Sequence, residues 1–168
     1  MPCKSWGIAA AVCKRGAGLW GNLDTVCSQC YARRGRQVTG VVKRAHARRL
    51  EQLDHELWPD AMVTLINAYE SGGYFRWFDS GDLQSREHLE KIMWVASRTP
   101  SVRHWLPTHE PFMVREARAS LVVNPNLVIR ISADNIEDRP TTPTFGFTTS
   151  TVHKHPGEPV PFSKRNQS

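Results

Sequence analysis

No stretch of the chain approaches the ~20 apolar residues that a membrane span requires, so no membrane partner is expected. The opening residues, MPCKSWGIAA, hold one early lysine and lack the long apolar core of a secretory leader, which points to a cytoplasmic protein with reduced thiols. At 168 residues the chain is too short for a complete eight-fold α/β barrel, which takes ~250. With 40% hydrophobic and 23% charged residues it is not a disordered chain either. Cysteine is missing after residue 30, and no acidic residue falls within 33–49. Both gaps matter because of what stands beside them.

All four cysteines, Cys3, Cys13, Cys27 and Cys30, crowd into the first 30 residues. Cys27-Ser28-Gln29-Cys30 is a C-x-x-C, a spacing that lets two sulfurs point to one centre while a loop brings further ligands. A thioredoxin-like redox pair would sit between a strand and a helix, and this segment does not read that way. A cysteine-rich metal-binding loop over 1–32 is therefore expected, with all four cysteines as candidate ligands. The gaps of nine, thirteen and two residues lack the paired knuckles of a zinc ribbon. Spacing alone leaves zinc and an iron–sulfur cluster equally open, since both accept thiolate.

The charge is just as uneven. Residues 1–58 carry ten Lys and Arg against four Asp and Glu, whereas 59–168 carry twelve of each. The excess centres on Arg33, Arg34, Arg36, Lys43, Arg44, Arg48 and Arg49. Such a run suits phosphates or a solvated helix face, and no nucleic-acid-binding signature accompanies it.

Downstream the pattern alternates. A basic helical region over 33–71 holds one helix from Lys43 to Leu57, with Ala47, Leu50, Leu53 and Leu57 on one face, and a second opened by Pro59 or Asp60 and stopped at Ser71-Gly72-Gly73. Strands are predicted at Tyr74–Phe78, Val102–Leu106, Leu127–Ile131 and Phe145–Thr148. Helices are predicted from a Ser85 cap to Arg98, with Leu89, Ile92, Met93 and Ala96 as its apolar stripe, and from Pro111 to Ser120. Alternating strands and helices over 74–150 imply an α/β fold, either a partial (β/α) barrel or an open, mostly parallel sheet, in one domain over 1–155. Residues 156–168 read as an extended tail, and His153 and His155 beside it are able to ligate a metal, although an exposed pair next to a tail more often has no such role. Trp6, Trp20, Trp77 and Trp105 read as core or site-shielding residues.

In parallel α/β sheets ligands bind at the carboxyl ends of strands. Those ends are Asp79-Ser80-Gly81-Asp82, Thr108-His109-Glu110, Ser132-Ala133-Asp134-Asn135 and Thr149-Ser150-Thr151. Helix caps favour the same residue types, but Ser85 already serves the following helix, which leaves Asp79 and Asp82 for a polar pocket.

The chain resembles the phage gene product 88 family. The resemblance rests on Lys4-Ser5-Trp6-Gly7-Ile8 with Cys13, Val26-Cys27-Ser28-Gln29-Cys30-Tyr31-Ala32 and Tyr74-Phe75-Arg76-Trp77-Phe78-Asp79-Ser80-Gly81-Asp82-Leu83. It continues with His104-Trp105-Leu106-Pro107-Thr108, Val128-Ile129-Arg130-Ile131-Ser132 and Thr149-Ser150-Thr151-Val152-His153-Lys154. That family is distantly similar to radical S-adenosylmethionine proteins, in which three cysteines hold a [4Fe-4S] cluster and the fourth iron binds the cofactor. The resemblance implies Cys13, Cys27 and Cys30 as the triad, with a wider first gap than usual. It implies that Asp79-Ser80-Gly81-Asp82 meets the methionine amino group and Ser132-Ala133-Asp134 the ribose, with Thr108 in the same pocket. It also implies the cytoplasm of an infected bacterial host. Cys3 is a departure: as a fourth thiolate it would close the cluster and leave an electron-transfer or cluster-carrier module that serves a redox partner. The carboxy-terminal cysteine cluster of relatives is also missing, since residues 161–168 read PFSKRNQS. Three expectations follow: an iron–sulfur protein with a small-molecule substrate, a four-cysteine carrier, and a zinc-stabilised nucleic-acid binder using Arg33–Arg49.

Overall fold

The computed structural model describes residues 3–117, 124–138 and 147–154. Among them five strands form one sheet, every strand pairing parallel and the strands ordered as in the chain. They are β1 (Lys4–Trp6), β2 (Tyr74–Trp77), β3 (Arg103–Thr108), β4 (Leu127–Ile136) and β5 (Thr148–Val152). The helices are α1 (Lys14–Gly18), α2 (Gly40–Gln52), α3 (Trp58–Tyr69), α4 (Arg86–Arg98) and α5 (Pro111–Ala117). The sheet is open, with β1 and β5 at its two edges.

Period-two burial sets which face meets the core. Phe75 and Trp77 of β2, His104, Leu106 and Thr108 of β3, and Ile129, Ile131 and Ala133 of β4 are buried; Tyr74, Arg103, Trp105 and Val128 are exposed. Helix α4 packs against both α3 and α5. Its start matches the predicted cap: Ser85 Oγ accepts the His88 amide at 3.1 Å. Its stripe of Leu89, Ile92, Val95 and Ala96 is wholly buried, each large side chain contributing up to about 1.5–3 kcal/mol of hydrophobic stabilisation. The first strands and α3 meet in a ring cluster, where Trp6 packs edge-on against Trp58, Trp77, Phe78 and His88 at 5.4–6.2 Å.

Several boundaries differ from the sequence reading. Strand β1 was not anticipated, because three residues carry no usable alternation; its partnership with β2 makes it a strand. Helix α2 starts earlier and ends at Gln52, because His55 Nδ1 accepts the Leu57 amide at 3.1 Å and the chain turns before α3. Strand β3 begins one residue later and runs on to Thr108, pairing beyond Trp105 with β4 alone, so Pro107 is tolerated there. Strand β4 runs to Ile136 through an irregular register after Ser132. Its far end is held by the cysteine loop: Ile136 donates to the Asp24 carbonyl at 2.7 Å, and Thr25 bridges Asn135 in antiparallel fashion. Strand β5 lies at Thr148–Val152, displaced from the predicted Phe145–Thr148, of which 145 and 146 fall outside the described residues. So do 118–120, the predicted end of α5, together with His155 and the tail 156–168. Trp6 and Trp77 are core residues as expected, but Trp20 is only partly buried and Trp105 is exposed, each lying under an arginine, Arg33 at 3.9 Å and Arg76 at 4.6 Å. No helix among the described residues is long and apolar enough to cross a membrane.

Candidate functional site

The exits of β1 and β2 interlock at the carboxyl edge of the sheet. Phe78 leaves β2 with φ 57°, a left-handed conformation that is unfavourable for a bulky residue, and its amide is fixed on the Trp6 carbonyl at 2.7 Å. Ile8 then donates to the Ser80 carbonyl at 3.0 Å. Two glycines make the approach possible. A Cβ on Gly81, at φ +83°, would meet the Ile8 carbonyl oxygen at 2.8 Å, and one on Gly7 would run into Asp79 Oδ1 and the Ser80 carbonyl.

Behind this turn Asp82 is buried and fully used. Its Oδ1 accepts from Thr108 Oγ1 at 2.6 Å and from the Leu83 amide at 2.8 Å, and its Oδ2 accepts from the His109 amide at 2.8 Å. Burial pushes its pKa up to about 6 despite those donors, because desolvation outweighs them. Thr108 Oγ1 also accepts from the Glu110 amide at 3.0 Å.

Asp134, from β4, closes the same edge. It pairs with the Arg15 guanidinium, whose Nε donates at 2.8 Å, and with His109 Nδ1 at 3.3 Å. Burial pushes its pKa up, yet the hydrogen bond from Arg15 and the charge of that guanidinium hold it below the usual value. The Arg15 amide donates to Glu110 Oε1 at 2.8 Å, so α1, inside the cysteine loop, is tied to the ends of both β3 and β4. Asp82, Thr108 and Asp134 thus belong to one network. Ser132 does not: its hydroxyl faces Ser150 Oγ across β4 and β5 at 3.3 Å. Asp79 Oδ1 and Ser80 Oγ are buried without a hydrogen-bond partner, which leaves polar capacity at the turn for something else.

The cysteines divide into three and one. From the point a Cβ on Gly16 would occupy, Cys27 Sγ is 3.3 Å away and Cys13 Sγ 3.9 Å. Cys30 follows through a 3-10 turn and interacts electrostatically with both. The next residue, Tyr31, donates its hydroxyl to the Asp79 carbonyl and so holds the C-x-x-C against the β2 exit. Cys3 precedes β1, at the amino edge of the sheet, and is not among the groups acting on Cys13 or Cys27. Burial, then the nearby Asp82 carboxylate and the other thiols, push Cys13 up to about 12. Burial and Cys30 push Cys27 up to about 11. Among the described residues no group of three or more His, Cys, Asp or Glu is drawn tightly enough to hold a metal ion as it stands. The donor set nevertheless suits a thiophilic group: three clustered thiols within reach of three carboxylates, with Arg15 as the nearby cation.

The family model for gene product 88 matches residues 2–159 and so spans the loop, the network and the sheet together. The chain belongs to the gene product 88 family. This is a bacteriophage-related family, and membership carries no reaction with it. No curated protein and no solved structure matches the chain.

Sequence reasoning missed Arg15 and Gly7. Arg15 had a signal, being next but one to Cys13 in a loop with little other charge. Gly7 had none, because its role depends on the β1–β2 pairing. His153 contacts Glu137 Oε2 at 2.9 Å and Thr151 Oγ1 at 3.0 Å, and His155 lies outside the described residues.

Proposed function

We propose that Cys13, Cys27 and Cys30 hold a [4Fe-4S] cluster at the carboxyl edge of the sheet, and that a small polar molecule, S-adenosylmethionine by resemblance, binds between it and the turn Asp79–Asp82. The observation that carries this reading is that the Cys13 and Cys27 thiols meet about Gly16 and Cys30 acts on both, while Cys3 precedes β1 and acts on neither. A structural zinc site is closed by four ligands, and the nearby carboxylates already accept hydrogen bonds from Thr108, Arg15 and backbone amides. Three thiolates are the complement of a cluster with one iron left free of protein sulfur. The cluster would supply one-electron chemistry.

The chain's own residues have definable tasks in this reading. Cys13 and Cys27 are protonated at neutral pH, so loading must release protons, and metal affinity rises with pH. Arg15 offsets the charge of the thiolates, and its bonds to Asp134 and Glu110 keep α1 in register with the sheet. Asp79 Oδ1 and Ser80 Oγ offer an acceptor and a hydroxyl to an amino group on the ligand.

The test is anaerobic reconstitution with iron and sulfide, followed by metal and sulfide analysis and absorption spectroscopy. Brown protein with about four iron and four sulfide per chain is expected. Cys3→Ser retains the cluster; Cys13→Ser, Cys27→Ser and Cys30→Ser lose it. Colourless protein with one zinc per chain overturns the reading. A loaded protein whose spectrum ignores S-adenosylmethionine overturns that choice of ligand.

A further inference from the structure

The basic run has no task in the cysteine site, and its placement is specific. Arg33, Arg34, Arg36, Lys43, Arg44 and Arg48 are all exposed along the 3-10 turns over 31–38 and the adjoining α2. None of them makes an ion pair among the described residues, whereas Arg15 and Arg86 do. Two of them are held in place without being neutralised: Arg33 stacks on Trp20 at 3.9 Å, and Arg34 Nη2 donates to the Gln29 carbonyl at 3.1 Å.

Helix α2 is anchored from its other side. His46 is its buried residue, and Arg49 Nη1 donates to the Gly7 carbonyl at 3.2 Å. Arg44 and Arg48, two positions either side of His46, therefore point outward one turn apart. The helix has no acidic residue in its first turn and no side-chain cap, and its cations start at Lys43, near the positive end of its dipole. Each of these choices weakens the helix on its own, so a purely solvated face gains nothing from them.

We propose that this face binds the phosphate backbone of a nucleic acid. Arginine dominates the patch, and its planar fork suits phosphate oxygens. Trp20 and the exposed ring of Tyr31 lie among the cations, as on surfaces that meet nucleotides rather than acidic peptides. Beside these cations the exposed apolar side chains of this stretch are the short Val38 and Val41, less than the wide apolar face with which a helix enters a lipid surface.

Fluorescence anisotropy with a labelled oligonucleotide, single-stranded and as a duplex, tests this on the full chain, metal-free and reconstituted. Binding is expected to weaken linearly in log–log form as salt rises from about 50 to 200 mM. Arg44→Gln with Arg48→Gln should bind about tenfold more weakly and with a salt slope shallower by about 1.5–2. Arg98→Gln with Arg115→Gln, exposed elsewhere, should bind like the parent, and circular dichroism checks that both variants fold. No binding at the lowest salt, equal binding by the α2 variant, or tighter binding to phosphatidylglycerol vesicles overturns the proposal. Metal content is not read in this assay, so such a failure leaves the cysteine-site reading standing.

Discussion

Thr108 Oγ1 donates to Asp82 Oδ1 at 2.6 Å, so a single buried carboxylate joins the carboxyl ends of β2 and β3. That carboxylate also takes up the His109 amide, and His109 reaches Asp134 on the next strand. The edge facing the cysteine loop is therefore a chain of charge-assisted contacts built on burial, and its behaviour with pH follows from that.

Asp82 titrates at about 6 in the folded protein, raised from the 3.8 of a free side chain by desolvation. Between those values the unfolded carboxyl has lost its proton and the folded one has kept it. Stability contributed at this site is therefore complete at low pH and declines as pH rises from about 4 to 6. Asp82→Asn removes the titration but sets an amide where three donors need acceptors, costing on the order of 1–3 kcal/mol at pH 4. Denaturant midpoints of parent and variant should converge over that window; a gap that stays constant with pH shows that Asp82 does not titrate there.

Two buried histidines act with the opposite sign. Burial holds His88 down to about 3 and His104 to about 4. His104 Nδ1 accepts the Trp77 indole at 3.2 Å, so its proton is on Nε2, facing Thr99 Oγ1 at 2.8 Å. Both rings are neutral when folded and charged when unfolded below 6.5. Their contribution is present above that value and is lost as pH falls toward 4. Unfolding at pH 5 should take up nearly two protons at these sites, and His88→Phe, which keeps the ring packing, should reduce the uptake by about one. An unchanged uptake in the variant means that His88 is already charged in the fold.

Much of this was readable beforehand, and the parts that were not share a cause. Helix α4 was legible because Ser85, Leu89, Ile92, Met93 and Ala96 state a cap and a stripe within one local stretch. The strand exits at Asp79 and Thr108 were legible because polar residues end each apolar run; at Ser132 the same signal misleads, since β4 continues to Ile136. Strand β1, the Gly7–Asp79 contact and the Arg15–Asp134 pair were not, since each depends on residues 71 to 119 positions apart. The pairing of Ser132 with Ser150 is of the same kind: local pattern ends a strand before Ser132, whereas pairing with β5 carries β4 through it.

Gly81→Ala should be strongly damaging, because it combines backbone strain with a clash. The residue sits at φ +83°, and its new Cβ would meet the Ile8 carbonyl oxygen at 2.8 Å, a backbone atom held by the β1 exit. Left-handed strain and overpacking together should cost about 2–4 kcal/mol. Gly18→Ala, with nothing within 4 Å, is the matched control and should change stability little. Comparable denaturation midpoints for the two would mean that the β1–β2 exits are not locked as described.

Thiol reactivity reports on the cysteine site without any metal. Alkylation requires the thiolate, and burial keeps Cys13 and Cys27 protonated, near 12 and 11. In chelator-treated protein at pH 8, iodoacetamide should label these two at least roughly tenfold more slowly than in urea-unfolded chain. Peptide mapping by mass spectrometry resolves each cysteine. Arg15→Gln sharpens the test, because Arg15 is the charge that favours the Cys27 thiolate and its Nε donates to Asp134 at 2.8 Å. Removing it withdraws that help while loosening α1 from β4. If electrostatics dominate, Cys27 labels more slowly in the variant. If the Arg15–Asp134 pair chiefly keeps the loop closed, Cys13 and Cys27 both label faster, and reconstituted iron content falls with them. Unchanged labelling at both positions would show that Arg15 neither tunes nor closes the site.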